Sequence, residues 1–406
     1  MKLLILHASA GGGHRRAAEA LAATALERGI VAVVRDMLDF APAFYRKTYA
    51  EGYLKLVRFA PELWGYFYSH TDRHARSPAE KRVRAVLRRL QASPFHKFLA
   101  NEEPDAVLCT HFLPLEFIAT MPVRRRRSLP LFGVVTDFAA HALWFSEKVN
   151  AYYIASSAAQ RSLQRRGQPA DGLVLTGIPV LPAFAHREDR AAARARIGLA
   201  PEEPVVLMLN GGHGVGPTLE LLRAFTREPV ACRLLVVTGR NARVEAEARS
   251  LAATARMPMT VFGYAHNVHD MMDAADLVIS KPGGLTTAEA LAKGKPLVIA
   301  EPIPGQEQRN ADYLLEAGCA VRLAESADVS WVVRSLLEDP ARLSALAGNA
   351  LRHGRPGAAH DILDDVLRRC AVCTEQTEDG HSLVLARNSR AFHKAGSTVG
   401  GFTRGS

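Results

Sequence analysis

The sequence predicts an α/β protein built from two doubly wound domains, each around a parallel sheet. Three observations predict it. Short apolar runs of strand length alternate with helical stretches through both halves of the chain. A glycine-rich turn follows the first strand of each half, at Ser9-Ala10-Gly11-Gly12-Gly13-His14 and at Asn210-Gly211-Gly212-His213-Gly214-Val215-Gly216. Prolines cluster beside an Arg/Ala-rich stretch between Pro179 and Pro204 and mark a hinge. At about 150 residues per domain, this length divides into a first domain over 1–185 and a second over 186–370. The remaining 371–406 lack sustained periodicity and end rich in Gly, Ser and Thr, the composition of a disordered tail.

Taken in order, Lys2–His7 reads as a buried strand and Arg15–Arg28, rich in Ala and Leu, as a helix stopped by Gly29. Ile30–Val34, Ala106–Cys109, Leu131–Val135 and Ala151–Ile154 read as the further strands of the first domain. The second repeats the grammar with Val205–Leu209, Leu234–Val237, Thr260–Phe262, Leu277–Ile279 and Pro296–Ile299. A ligand of such a fold sits outside the carboxyl ends of the strands, here in the cleft between the domains.

Composition excludes several classes. Hydrophobic residues make up 48% and charged residues 23%, an ordinary globular balance. No apolar run approaches the roughly 18 to 20 residues that span a bilayer, and Leu3–Leu6, interrupted by His7, is too short for the core of a signal peptide. The net charge of +10 points to an anionic partner: nucleic acid, anionic membrane or nucleotide. Cys109, Cys232 and Cys319 lie in or beside apolar stretches and read as free thiols in a reducing cytoplasm. Cys370-Ala371-Val372-Cys373 lacks the second ligand pair of a structural zinc site.

The glycine turns can hold phosphate, since the backbone approaches closely and the following helix offers free N–H groups. A third such segment runs Ser280-Lys281-Pro282-Gly283-Gly284-Leu285-Thr286-Thr287 into the helical stretch Ala288–Lys293. None is a P-loop, because GxxxxGK[ST] is absent. Glu289 could accept from both hydroxyls of a ribose, or be a first-turn glutamate favoured by the helix dipole. Pro302–Asn310 reads either as a sugar-reading segment or as a solvated loop.

Five segments then carry a resemblance: Ser9–His14, Val135–Phe138, Thr176–Pro179, Lys281–Ala290 and Pro302–Glu307. Together, over about residues 1–370, they resemble the monogalactosyldiacylglycerol synthases and processive diacylglycerol glucosyltransferases. Those enzymes are relatives of the N-acetylglucosaminyltransferase that completes lipid II. The resemblance implies a GT-B fold and an inverting, peripheral membrane transferase using a UDP-hexose. It implies that Gly263, Tyr264 and Asn267 sit near uracil and that Glu289 holds the ribose. Gly212, Lys281, Gly283, Gly284, Leu285, Thr286 and Thr287 would face the diphosphate, and Gln306 and Glu307 the hexose. His14 matches the acceptor-side base. One departure is visible: similar enzymes often read His-Pro before a Trp-Phe pair, where this chain has His141-Ala142-Leu143-Trp144-Phe145.

Inverting transfer needs one base on the acceptor hydroxyl, and a histidine at a helix N-terminus is kept neutral for that role. Asp137 would orient His14 or the acceptor, or else cap a helix. Without an Asp-X-Asp metal motif, the diphosphate would be neutralised by helix N-termini and Lys281, with no metal cofactor. Between Phe40 and Tyr68 the chain gathers ten aromatics (Phe40, Phe44, Tyr45, Tyr49, Tyr53, Phe59, Trp64, Tyr66, Phe67, Tyr68) among Arg46, Lys47, Lys55 and Arg58. Lys81–Leu90 and Arg124–Arg127 add basic clusters. These fit the cytoplasmic face of an anionic phospholipid membrane, or an aromatic core with a solvated basic surface. No RNA-binding motif accompanies them, so nucleic acid is not an expected partner. Diacylglycerol is the expected acceptor, with a polyprenyl diphosphate acceptor or a non-catalytic nucleotide-sugar sensor as rivals. The donor sugar is open between glucose, galactose and glucuronic acid.

Overall fold

The computed structural model describes residues 1–9, 11–42, 46, 52, 60–73 (without the Phe67 side chain), 93–121, 129–212, 214 and 216–371. The basic clusters, most of the aromatic segment, Cys373 and the tail lie outside these residues. The chain divides into a large unit, Met1–Ile362, and a C-terminal unit, Leu363–Ser406. Both sheets described below belong to the first.

The N-terminal lobe holds β1 (Lys2–His7), β2 (Val31–Asp36), β3 (Ala106–Cys109), β4 (Leu131–Val134), β5 (Ala151–Ile154) and β6 (Leu173–Leu175). They form one parallel sheet in the order β2-β1-β3-β4-β5-β6. Its helices are α1 (Gly12–Glu27), α2 (Pro61–Arg73), α3 (Ser93–Glu102), α4 (Phe112–Ile118) and α5 (Ser157–Gln164). Strands β3, β4 and β5 are buried throughout, as a sheet covered on both faces requires.

Short helices α6 (Pro182–Ala185) and α7 (Arg190–Arg196) lead into the C-terminal lobe. There β7 (Val205–Leu209), β8 (Arg233–Val237), β9 (Met259–Phe262), β10 (Leu277–Ser280), β11 (Leu297–Ile299) and β12 (Ala320–Arg322) pair in the order β12-β11-β10-β7-β8-β9, again all parallel. The helices are α8 (Thr218–Arg227), α9 (Ala242–Thr254), α10 (Val268–Ala274), α11 (Gly284–Ala292), α12 (Gln306–Glu316), α13 (Val329–Leu337) and α14 (Pro340–His353).

Several sequence expectations shift. The short edge strands β6 and β12 are additions: each has one buried, one half-buried and one exposed residue, too weak a pattern to read. Helix α11 begins at Gly284, four residues before the expected start, so Glu289 stands mid-helix and a first-turn dipole cannot explain it. The supposed loop Pro302–Asn310 becomes helical at Gln306. Trp144 is buried in the N-terminal core and Phe145 packs against it, so this pair is part of the core. Cys109, Cys232 and Cys319 are buried free thiols, as expected.

The strand orders fix where ligands bind. In the N-terminal sheet the order reverses between β1 and β3, and in the C-terminal sheet between β7 and β10. Those switch points open crevices at the carboxyl ends of the strands. One apolar cluster spans the lobes, joining Phe138, Ile178, Val180 and Phe184 to Val205, Leu207 and Leu235 of the C-terminal core.

Candidate active site

The two switch points face one cavity of about 340 Å³. The N-terminal lobe contributes Gly11–Arg16, Glu19, Thr136 and Asp137. The C-terminal lobe contributes the turns after β7 and β10, Arg240, Tyr264, Glu289, Gln306 and Glu307. Three helices aim their N-termini at this space: α1 capped at Gly11, α11 at Gly283 and α12 at Gly305. None has a side-chain cap, whereas Ser156, Asp189, Asn241 and Asp339 cap helices elsewhere with a side-chain oxygen. Glycine at the cap leaves first-turn amides unclaimed by a neighbouring side chain, which is what an anionic ligand needs.

His14 occupies the third position of α1. Its Nδ1 is 2.8 Å from the Thr110 carbonyl oxygen and 2.8 Å from the Thr136 hydroxyl. A carbonyl only accepts, so Nδ1 carries the proton and donates it; Nε2 therefore holds the lone pair. Thr110 also donates its hydroxyl to the His14 carbonyl at 2.8 Å, pinning backbone and ring together. The ring meets His111 edge-on, with centroids 4.5 Å apart. Burial pushes the His14 pKa down to about 4, opposed by the Thr110 hydrogen bond and aided by His7. The imidazole is neutral as expected, with desolvation the main cause.

Asp137 follows β4 and caps no helix; its Oδ1 accepts from Asn310 Nδ2 at 2.9 Å. Burial raises its pKa to about 7, with Glu307 adding to the rise and Asn310 opposing it. Asn310, fully buried on α12, also donates to the Pro282 carbonyl at 3.0 Å and accepts from the Phe138 amide at 2.9 Å. One amide thus ties both lobes at the back of the cavity.

On the opposite wall Glu289 is buried and raised to about 7 by desolvation, with Arg16 of α1 opposing that rise. Arg16 Nη2 lies 3.8 Å from Glu289 Oε1. Lys281 Nζ is 3.7 Å from Glu307 Oε1, and Glu307 Oε2 accepts from the Ile303 amide at 2.9 Å. The Arg240 guanidinium lies 4.5 Å over the Tyr264 ring at the cavity edge.

Of the residues named from sequence, His14, Asp137, Gly212, Tyr264, Lys281, Gly283, Gly284, Leu285, Thr286, Glu289, Gln306 and Glu307 line the cavity. Three stand apart from its lining. Gly263 packs beside the Glu245 carboxylate, Asn267 is exposed at the cap of α10, and Thr287 is wholly buried with its hydroxyl unpartnered. Gly284 has a second duty: a Cβ there would collide with the Thr136 carbonyl oxygen, so glycine lets α11 touch the other lobe. Sequence reading passed over Thr110, Arg16 and Arg240, and took Asn310 only as the end of the Pro302–Asn310 segment, without its partners. Of the three passed over, Arg16 alone carried a signal, lying two residues beyond His14 at the start of its helix.

Two parallel-sheet lobes facing one cleft, with glycine-capped helices on both walls, define the GT-B fold. Solved structures share this fold: MurG of Acinetobacter baumannii (16% identity, TM-score 0.60, covering 91% of this chain and 99% of that one) and Anabaena HepE in complex with UDP (18%, 0.54, 91% and 100%). Residues 14–180 match the monogalactosyldiacylglycerol (MGDG) synthase family and 220–360 the glycosyltransferase family 28 C-terminal domain. The two halves of the chain thus match glycosyltransferase family models in succession. It is 28% identical over 368 residues to the processive diacylglycerol beta-glucosyltransferases of Bacillus mycoides (strain KBAB4) and Bacillus cereus (strain B4264), covering 90% of this chain and 93% of each relative.

Proposed function

We propose that the enzyme transfers a hexose from a UDP-sugar to the free hydroxyl of 1,2-diacylglycerol, with inversion at the anomeric carbon. The observation that carries this reading is the fixed tautomer of His14: Nδ1–H is committed to the Thr110 carbonyl, and Nε2 is left as a neutral base on the acceptor wall. Nε2 takes the proton of the acceptor hydroxyl. The oxygen bonds to the anomeric carbon on the face opposite the diphosphate, and the anomeric carbon–phosphate oxygen bond breaks. UDP leaves with the electron pair.

The donor wall has the matching chemistry. Glu289 accepts from the ribose hydroxyls and Tyr264 borders uracil, with Gly263 and Asn267 behind it. Gly212, the turn from Gly283 through Thr287 and Lys281 receive the diphosphate, and Gln306 and Glu307 meet the hexose. Uncapped helix N-termini, Lys281 and Arg240 neutralise the leaving group. Transfer is therefore expected to survive a chelator. Loss of activity in EDTA with recovery only in Mg²⁺ or Mn²⁺ would overturn that part.

Diacylglycerol resides in a bilayer, and among the described residues no helix is long and apolar enough to cross one. The enzyme then works from the membrane surface, on the cytoplasmic side where UDP-sugars are made available. The test is purified protein with radiolabelled UDP-glucose, UDP-galactose, UDP-glucuronic acid and UDP-N-acetylglucosamine, offered either diacylglycerol or a polyprenyl diphosphate acceptor in anionic vesicles. Glucose, the sugar named for the relatives, is the first donor to try. A labelled glycerolipid with inverted anomeric configuration supports the reading. Labelling only of a polyprenyl diphosphate acceptor, or UDP binding without any turnover, refutes it.

A further inference from the structure

Helix α2 carries the described end of the aromatic segment, with Trp64, Tyr66 and Tyr68, and it is seated on the donor wall. Gly65 packs so closely on Pro304 that a Cβ there would lie 2.6 Å from the proline Cβ. The Tyr68 ring covers Gly305: its φ of +100° favours glycine, and a Cβ there would lie 2.8 Å from the ring. At the end of α2, Asp72 receives three donors: the Arg309 guanidinium at 2.6 Å, the Arg166 guanidinium at 2.8 Å and the Ala142 amide at 2.7 Å. Arg309 also lies 5.2 Å over the Tyr68 ring.

Arg166 and Ala142 belong to the N-terminal lobe and Arg309 to α12 of the other. Arg309 directly precedes Asn310, which holds Asp137, and follows the turn that presents Gln306 and Glu307 to the cavity. The first turns of α12 therefore carry two cross-lobe ties on adjacent residues. We propose that Asp72 and Arg309 form a latch, a pair of positioning residues through which the seating of α2 sets the placement of Gln306, Glu307 and Asp137 relative to His14. Neither residue lines the cavity. The latch acts on the alignment of donor and base, a quantity to which rate is steep: a shift near 1 Å costs roughly 100-fold. In catalytic terms this rests on the glycosyl-transfer reading above. Its structural content, that α2 holds the start of α12, does not.

The experiment compares Asp72→Asn, Arg309→Gln and the double variant with wild type. The latch predicts a turnover loss of roughly 10- to 100-fold in each single variant, an affinity for UDP within about twofold of wild type, and a double variant no worse than the poorer single. Hydrogen exchange supplies a readout independent of activity: amides of residues 303–310 should exchange faster in all three variants while those of β7, β8 and β10 stay protected. Unchanged exchange at 303–310 overturns the latch. So do wild-type turnover in both single variants, multiplicative losses in the double, or UDP affinity falling in parallel with turnover. A wild-type protein that transfers no sugar refutes the functional reading instead, and leaves the exchange result to decide the latch.

Discussion

The two walls of the cavity are built from the same kind of sheet but carry opposite titratable chemistry. The N-terminal wall presents His14, backed by two further buried histidines: burial takes His14 down to about 4, lowers His7 and holds His111 well below the usual imidazole range. The C-terminal wall presents carboxylates: burial raises Glu289 to about 7 and raises Glu307 as well. One cause, loss of water, acts on both and drives each toward its neutral form. The result is a base on one side and carboxylates pushed toward neutrality on the other, in a space whose remaining charged side chains are Arg15, Arg16, Glu19, Arg240 and Lys281. Asp137 is the informative exception. It belongs to the histidine wall by sequence, yet Asn310 of the other lobe holds it and Glu307 of that lobe helps raise it. The walls are thus electrically coupled through the closed lobes.

The sharpest way to break the contrast is to remove the base. His14→Asn should lower kcat by about 10³-fold, within the range for a general base, while UDP affinity by calorimetry stays unchanged. Equal turnover in that variant would end the assignment of the N-terminal wall. Next is the contact that brings the walls together. Gly284→Val places branched carbon against the Thr136 carbonyl. It should cost about 1 to 3 kcal/mol of stability, read as a fall in thermal midpoint, together with a loss of transfer; an unchanged midpoint would mean the lobes do not rest on this glycine.

On the donor wall, Glu289→Gln should raise the KM for the UDP-sugar by roughly 10- to 100-fold, the worth of charge-assisted hydrogen bonds, and alter kcat far less. A kcat effect alone would move Glu289 from the ribose to the chemistry. The smallest effect is in pH. Going from pH 8 to pH 6 protonates Glu289, whose pKa is raised to about 7, and leaves His14 neutral because its pKa is near 4. Donor affinity needs the anion, so the wild-type KM should rise several-fold as pH falls over this interval, whereas Glu289→Gln should lose most of that rise and keep only what Asp137 and Glu307 contribute. A loss of kcat with a midpoint near 6.5 in the variant would instead point to an ordinary, solvated imidazole.

Much of the fold was legible because strands buried on both faces read as continuous apolar runs. Lys2–His7, Ala106–Cys109, Ala151–Ile154 and Val205–Leu209 coincide with the strands found. The weaker β6 and β12 did not announce themselves, and the start of α11 reads too late because Gly283 and Gly284 look like a turn. Most candidate site residues could be located, since glycine turns and the residues after β10 and β11 mark strand ends. Their partners could not. Thr110 and Thr136 lie 96 and 122 residues from His14, and Asn310 lies 173 from Asp137. Nothing in local spacing signals a contact across such distances.

By itself the sequence determined the alternation of strand and helix, the glycine turns at strand ends and the identity of a histidine and several carboxylates beside them. These follow from periodicity and backbone freedom, which are local properties of a chain. Only the tertiary structure decided which imidazole nitrogen keeps its proton, which carboxylates are pushed toward neutrality and which residues tie one lobe to the other. Protonation and alignment depend on how much water the closed lobes exclude and which distant dipoles they bring within hydrogen-bonding range, and both exist only once the chain has folded.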